Sequence, residues 1–257
     1  MSKHLSVESL GNTVLLTIAH APVNALPRAL AQELSACIRD LDAAEQHRAL
    51  VITGADDRYF CAGGDLTVFR EPSPQAGLAL LDAVGDVCSA LLAFRGLTVA
   101  AVNGFALGGG LAIALACDVR IAGRCAELGF PETSLGLLPS MRTLQHLLSL
   151  VGAGWTRRLV LTAERVDATR AVQIGLVEQV VEAGFAKVVA LSLAGRAAQA
   201  APHAARLVKQ QIAQLLAVGE GGRSDEARAW LNHEERVLGV TAFFTKKAPP
   251  WGGMRKK

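Results

Sequence analysis

The chain has 257 residues, 51% of them hydrophobic and 19% charged, with a net charge of +3. That is enough apolar material for one large domain with a substantial core, and it excludes global disorder. The charge is too mild to require a nucleic-acid surface, and six scattered histidines without H-E-x-x-H spacing give no metal site.

The five cysteines, none in C-x-x-C spacing, read as small buried apolar side chains in a reducing cytosol. Residues Met1–Leu16 carry Lys3, His4 and Glu8 and no apolar signal core, so a cytoplasmic location is expected. Leu5–Leu10 and Val14–Ile18 flank Gly11-Asn12 and predict a β-hairpin. Pro22–Pro27 reads as a loop. Ala29–Leu41 places Leu30, Leu34, Cys37, Ile38 and Leu41 on one helical stripe.

Ala49–Thr53 predicts a buried strand, followed by a turn over Gly54–Asp57 and a glycine loop, Tyr59–Leu66. Leu78, Leu81, Val84, Cys88 and Leu91 then predict an amphipathic helix with Asp82 and Asp86 on its polar side. Thr98–Val102 is another strand. Asn103-Gly104 breaks it, and Gly108-Gly109-Gly110 opens a buried helix over Leu111–Cys117. Gly96–Cys117 is uncharged over the length of a membrane span, but Asn103 and the glycines divide it into a strand, a loop and a short helix.

Further on, Val119–Ala122 predicts a strand and Glu127–Leu138 a loop containing a helix start. Leu144–Val151, Thr156–Leu161 and Asp167–Ile174 predict helices, and Val177–Val181 a strand. From Ala186 the pattern is helical. One helix carries Leu207, Val208, Ile212, Leu215 and Leu216, and another carries Trp230, Leu231 and Leu238. A compositional shift near Pro202 separates residues 1–200, a β/α core, from residues 201–257, a helical region. Strands alternating with helices give the α/β class.

Both glycine loops follow a predicted strand. A glycine cluster opening a helix leaves backbone N–H groups free and lets a ligand approach them closely. Two such loops could each supply one donor to a single oxygen, which is an oxyanion hole.

The motifs F-C-A-G-G-D-L, A-V-N-G-F-A-L-G-G-G, F-P-E-T-S-L-G-L-L-P and T-A-F-F-T-K-K, in this order and spacing, resemble those of the crotonase superfamily, the enoyl-CoA hydratases and isomerases. The resemblance covers nearly the whole chain. It implies a spiral core of repeated β-β-α units and a C-terminal helical region that trimerises, often as a dimer of trimers. It also implies an acyl-CoA substrate with no further cofactor, and neither a nucleic-acid partner nor a membrane. The oxyanion donors would be the N–H groups of Gly64 and Gly109. Ala62 and Leu66 would border the adenine and pantetheine, and Phe243 and Lys246 would reach a neighbouring subunit's CoA. Glu132 would be the acid/base at the substrate's alpha carbon, and its apolar neighbours would raise its pKa by burial.

One position departs from the hydratase pattern. A typical hydratase has a second glutamate two residues after the glycine triplet, and here Ala112 stands there. Hydration needs one group for the water proton and one to protonate carbon. A 3-enoyl to 2-enoyl shift needs only one carboxylate, which favours isomerisation. Ser140-Met141-Arg142, in place of the hydratases' glycine-rich run, leans the same way. Other crotonase reactions (hydratase, decarboxylase, lyase) and a non-catalytic acyl-CoA or RNA binder remain as alternatives. Asp65 reads as a helix N-cap, Asp118 as a structural hydrogen-bonding carboxylate, and Glu127 as a reserve acid/base.

Overall fold

The computed structural model describes residues 3–70 and 75–218, with the isolated positions 238, 242, 245, 247 and 250. β1 (Leu5–Leu10) and β2 (Thr13–Ile18) form the expected antiparallel hairpin, and α1 (Arg28–Ala43) follows. Three units of similar design come next. β3 (Ala49–Gly54), β4 (Tyr59–Cys61) and α2 (Gln75–Ala93) make the first. β5 (Leu97–Val102), β6 (Phe105–Leu107) and α3 (Gly109–Ala116) make the second. β7 (Val119–Gly123), β8 (Glu127–Gly129) and α4 (Met141–Leu161) make the third. The chain closes through β9 (Arg165–Asp167), α5 (Ala168–Gln173), β10 (Gln179–Val181), α6 (Ala186–Ala197) and α7 (Pro202–Val218).

In each unit the first strand joins a six-stranded sheet, ordered β1-β2-β3-β5-β7-β10, and the second joins a four-stranded sheet, ordered β4-β6-β8-β9. The large sheet is parallel from β2 onward. This is the spiral of β-β-α units. It explains why Ala49–Thr53 and Thr98–Val102 are apolar without alternation: a parallel sheet is covered on both faces. Leu50, Ile52, Ala100 and Val102 pack toward α1–α4. Val51, Val99, Ala101 and Ile121 pack toward Ala186, Ala190 and Ala194 of α6, whose small side chains let the helix lie close.

One sequence expectation changes. The Tyr59–Leu66 loop begins with a strand, and the whole second sheet goes unpredicted because its strands are three residues long. The helices expected at 144–151 and 156–161 are both present, as two helical pieces of Met141–Leu161 separated by a non-helical kink at Gly152, where φ is 71°. Asp118 is structural, as expected. Its Oδ2 accepts from Thr98 N (2.8 Å), Thr98 Oγ1 (3.0 Å) and Lys209 Nζ (2.8 Å), tying α7 to the edge of β5.

Candidate active site

The two glycine loops meet. The Tyr59–Leu66 segment is held to residue 26 by a parallel bridge: Leu26 N donates to Gly63 O (2.8 Å), and Asp65 N donates to Leu26 O (3.0 Å). Backbone groups alternate in direction along an extended segment. The bonds of Gly63 and Asp65 therefore leave the Gly64 N–H pointing the other way, toward the second loop. There, Ala112 N donates to Gly108 O (2.9 Å) as the first bond of α3, so the N–H of Gly109 lies in the unpaired first turn.

The approach of the loops requires glycine at Gly63, which has φ +95°. A Cβ there would lie 2.8 Å from Leu107 O and 3.0 Å from Gly109 N. A Cβ on Gly109 would lie 3.4 Å from Gly64 N, so the two donors stand side by side. Leu80 and Val84 of α2 pack against them and line the same cavity. Gly64 and Gly109 both line one cavity of about 520 Å³, as do Ala62 and Leu66.

Glu132 faces the same cavity. It sits in the first turn of a 3-10 segment, Pro131–Leu135, which follows β8. Thr133 Oγ1 anchors that segment to Val160 O (2.5 Å), and Gly108 N donates to Gly129 O (3.0 Å) just before it. The Glu132 carboxylate lies against Gly108, where an added Cβ would be 2.9 Å from Oε1; Gly108 also has φ +51°. Among the described residues, Glu132 Oε2 is buried and has no hydrogen-bond partner. Burial pushes the carboxyl above its ordinary pKa. The structure thus brings a buried, under-solvated carboxylate beside two converging N–H donors. A carbonyl oxygen bound between those donors would be stabilised as negative charge develops on it, with Glu132 placed to move a proton nearby.

Ala112, a buried residue of α3, lines the cavity, and α3 carries no carboxylate anywhere along it. Asp65 does what its position predicts: Oδ1 accepts from Thr67 N (3.0 Å) and Thr67 Oγ1 (2.8 Å). Glu127 is engaged by Arg165 at 3.3 Å and is not a reserve base at this cavity. Phe243 and Lys246 lie outside the described residues. Sequence reasoning missed the opposite wall. Asp82 and Asp86, expected on a solvated helix face, border the cavity, as do Ser89, Arg142 and His146. Helical periodicity marks these positions as polar but does not say that a cavity opens beside them.

The Enoyl-CoA hydratase/isomerase family model matches residues 10–254. The 2,3-dehydroadipyl-CoA hydratase of Escherichia coli K12 is 35% identical over 93% of this chain and 95% of its own length. The short-chain-enoyl-CoA hydratase of Clostridium acetobutylicum is 35% identical over 80% of this chain and 79% of its own. Among solved structures, Pseudomonas aeruginosa DspI superposes with a TM-score of 0.89 at 38% identity, covering 97% of each chain. An enoyl-CoA hydratase from Bacillus anthracis also gives 0.89, at 30% identity, covering 98% of this chain and 100% of its own. With its β-β-α spiral and paired glycine loops, this chain belongs to the enoyl-CoA hydratase/isomerase family of the crotonase superfamily.

Proposed function

We propose that the protein isomerises 3-enoyl-CoA thioesters to 2-enoyl-CoA thioesters, with Glu132 as the single acid/base. The observation that carries this reading is the pairing of a half-buried Glu132, its Oε2 buried and unpartnered among the described residues, with Ala112 on the same cavity. The thioester carbonyl would sit between the N–H groups of Gly64 and Gly109. Glu132 removes a proton from C2, and the C2–H electron pair moves toward the carbonyl to give a dienolate. The two donors hold its charge on oxygen. The protonated Glu132 then returns the proton to C4. The C3–C4 double bond is lost, a C2–C3 double bond forms, and no water is consumed.

The raised pKa suits both halves of this exchange, because a desolvated carboxylate is a better base and its acid form persists longer. The acyl thioester is substrate, and the chemistry asks for no further cofactor. Hydration is the second reading, favoured by the names of the relatives. It would require another group to take the place of a carboxylate at position 112. The discriminating experiment gives pure protein a 3-enoyl-CoA and, separately, a 2-enoyl-CoA, beside Glu132→Gln. Conversion of the first to the ultraviolet-absorbing conjugated product, lost in the variant, supports isomerisation. Hydration of the second without isomerisation supports the alternative.

Assembly as a trimer or a dimer of trimers fits the same reading. On α7, Val208, Ile212 and Leu215 present apolar side chains to solvent at helical spacing, a stripe that association would cover. Light scattering on the eluting protein tests it, and a monomer at micromolar concentration would refute it.

A further inference from the structure

The cavity changes character away from the oxyanion hole. α3 leaves the hole at Gly109 and reaches Ala116, which still lines the cavity, about 10 Å further on by the helical rise. Ser89 from α2 and Arg142 and His146 from α4 border the same cavity. Burial pushes the His146 ring below its ordinary pKa, which favours its neutral form.

Arg142 does bring a charge. Its Nη1 donates to Ser89 Oγ at 2.6 Å, while Ser89 Oγ donates to Gly85 O at 2.8 Å. A serine hydroxyl has a single proton, so with that proton committed to Gly85 it can only accept from the arginine. Ser89 therefore acts as a clamp that sets the direction of the guanidinium. Among the described residues, Arg142 has no carboxylate within ion-pair distance; Asp42, Glu45, Asp118, Glu164, Glu178 and Glu182 pair with other cations. Asp82 and Asp86 border the cavity from exposed positions on α2 and make no ion pair with it. The result is a positioned cation with donors to spare: its clamp Ser89 stands five residues beyond Val84, which packs on Gly109, roughly 7.5 Å further along α2 by the helical rise.

We propose that Arg142 recognises a carboxylate at the distal end of the acyl chain, so that the preferred thioesters are half-esters of dicarboxylic acids. This rests on the reading of the cavity as an acyl-CoA site. A guanidinium can hold a carboxylate through two parallel N–H bonds, which a lysine cannot reproduce. Arg142 is exposed, so the pair stays partly hydrated and the preference is moderate, roughly tenfold.

The test is calorimetric and uses saturated esters, which cannot be isomerised or hydrated: adipoyl-CoA against hexanoyl-CoA on the full chain. Wild type is expected to bind adipoyl-CoA about tenfold more tightly than hexanoyl-CoA, with the ratio shrinking as salt rises. In Arg142→Gln the ratio should fall to about one, and in Arg142→Lys, which keeps the charge and serves if the first variant misfolds, it should be intermediate. A wild-type ratio at or below one overturns the proposal, as does a ratio that Arg142→Gln leaves unchanged. Absence of binding by either ester overturns it together with the acyl-CoA reading. Adipoyl preference in a protein without isomerase activity would keep the proposal and remove the isomerase reading, and an active isomerase without the preference would do the reverse.

Discussion

The two ends of the cavity are built from different materials. At the end proposed to react, the candidate donors are main-chain N–H groups of Gly64 and Gly109, fixed by a parallel bridge on one side and a helix start on the other. At the other end the polar groups are side chains of Ser89, Arg142 and His146 on two helices. A backbone donor cannot be exchanged by substitution, whereas a side chain can be replaced in one step. On the proposed reading, the stabilisation of an enolate is a property of the fold, and the choice among acyl groups and reactions is a property of the helices around it. Ala112 sits between these regimes, a side-chain position on the helix that supplies one of the donors.

The largest expected effect breaks the reacting end. Glu132→Gln should lower the isomerisation rate by about 10²–10⁴-fold, with little change in binding of a saturated acyl-CoA. Equal loss of binding and turnover would show that Glu132 shapes the site without moving a proton. Gly63→Ala tests the backbone part. Its φ of +95° and a Cβ 2.8 Å from Leu107 O would force the loops apart. Turnover should fall by about 10²–10³-fold, and stability by about 1–3 kcal/mol, measured by kinetics and urea unfolding on the same sample. Retention of full activity would mean that the donors do not need this approach.

The middle of the cavity gives a sharper comparison. Ala112→Glu restores the carboxylate that two-glutamate hydration uses and places it on the wall of the same cavity. Hydration of a 2-enoyl-CoA should appear or rise at least about tenfold, read by loss of ultraviolet absorbance. A variant that folds and isomerises but gains no hydration would show that position 112 does not choose the reaction.

The smallest effect is on stability. Burial raises the Glu132 pKa in the folded chain above its unfolded value, so the folded state binds its proton more tightly. The sign follows by linkage: stability associated with this group is fully present below the unfolded value of 4.5 and is lost as pH rises through the raised folded value. Glu132→Gln removes that loss. The variant should therefore gain about 1–3 kcal/mol over wild type at pH 8, and much less at pH 4.5. Thermal unfolding at the two pH values checks this; an equal difference at both would mean that the orphaned Oε2 is not paying the desolvation cost. The rate should show the matching acid limb, displaced upward from 4.5.

The strands of the large sheet were legible because apolar runs bounded by Gly, Asn and Asp have few other interpretations. β4, β6 and β8 were not, because three residues hold no periodicity and their pairing partners are far away in the chain. The long run of α4 was read as two helices because Gly152 interrupts its pattern, and the backbone does turn there.

The sequence, through its motifs and the family resemblance they carry, singled out Gly64 and Gly109 as candidate donors, Glu132 as the candidate acid/base and Ala112 as the departure from the two-glutamate pattern, because glycine-rich loops and a missing carboxylate are local features of the chain. Only the tertiary structure decided that Gly63 abuts Gly109, that Glu132 rests on Gly108 with one oxygen unpartnered, and that Arg142 reaches Ser89 across the cavity. Those distances depend on the register of two sheets and the packing of helices remote in sequence, and no local pattern encodes them.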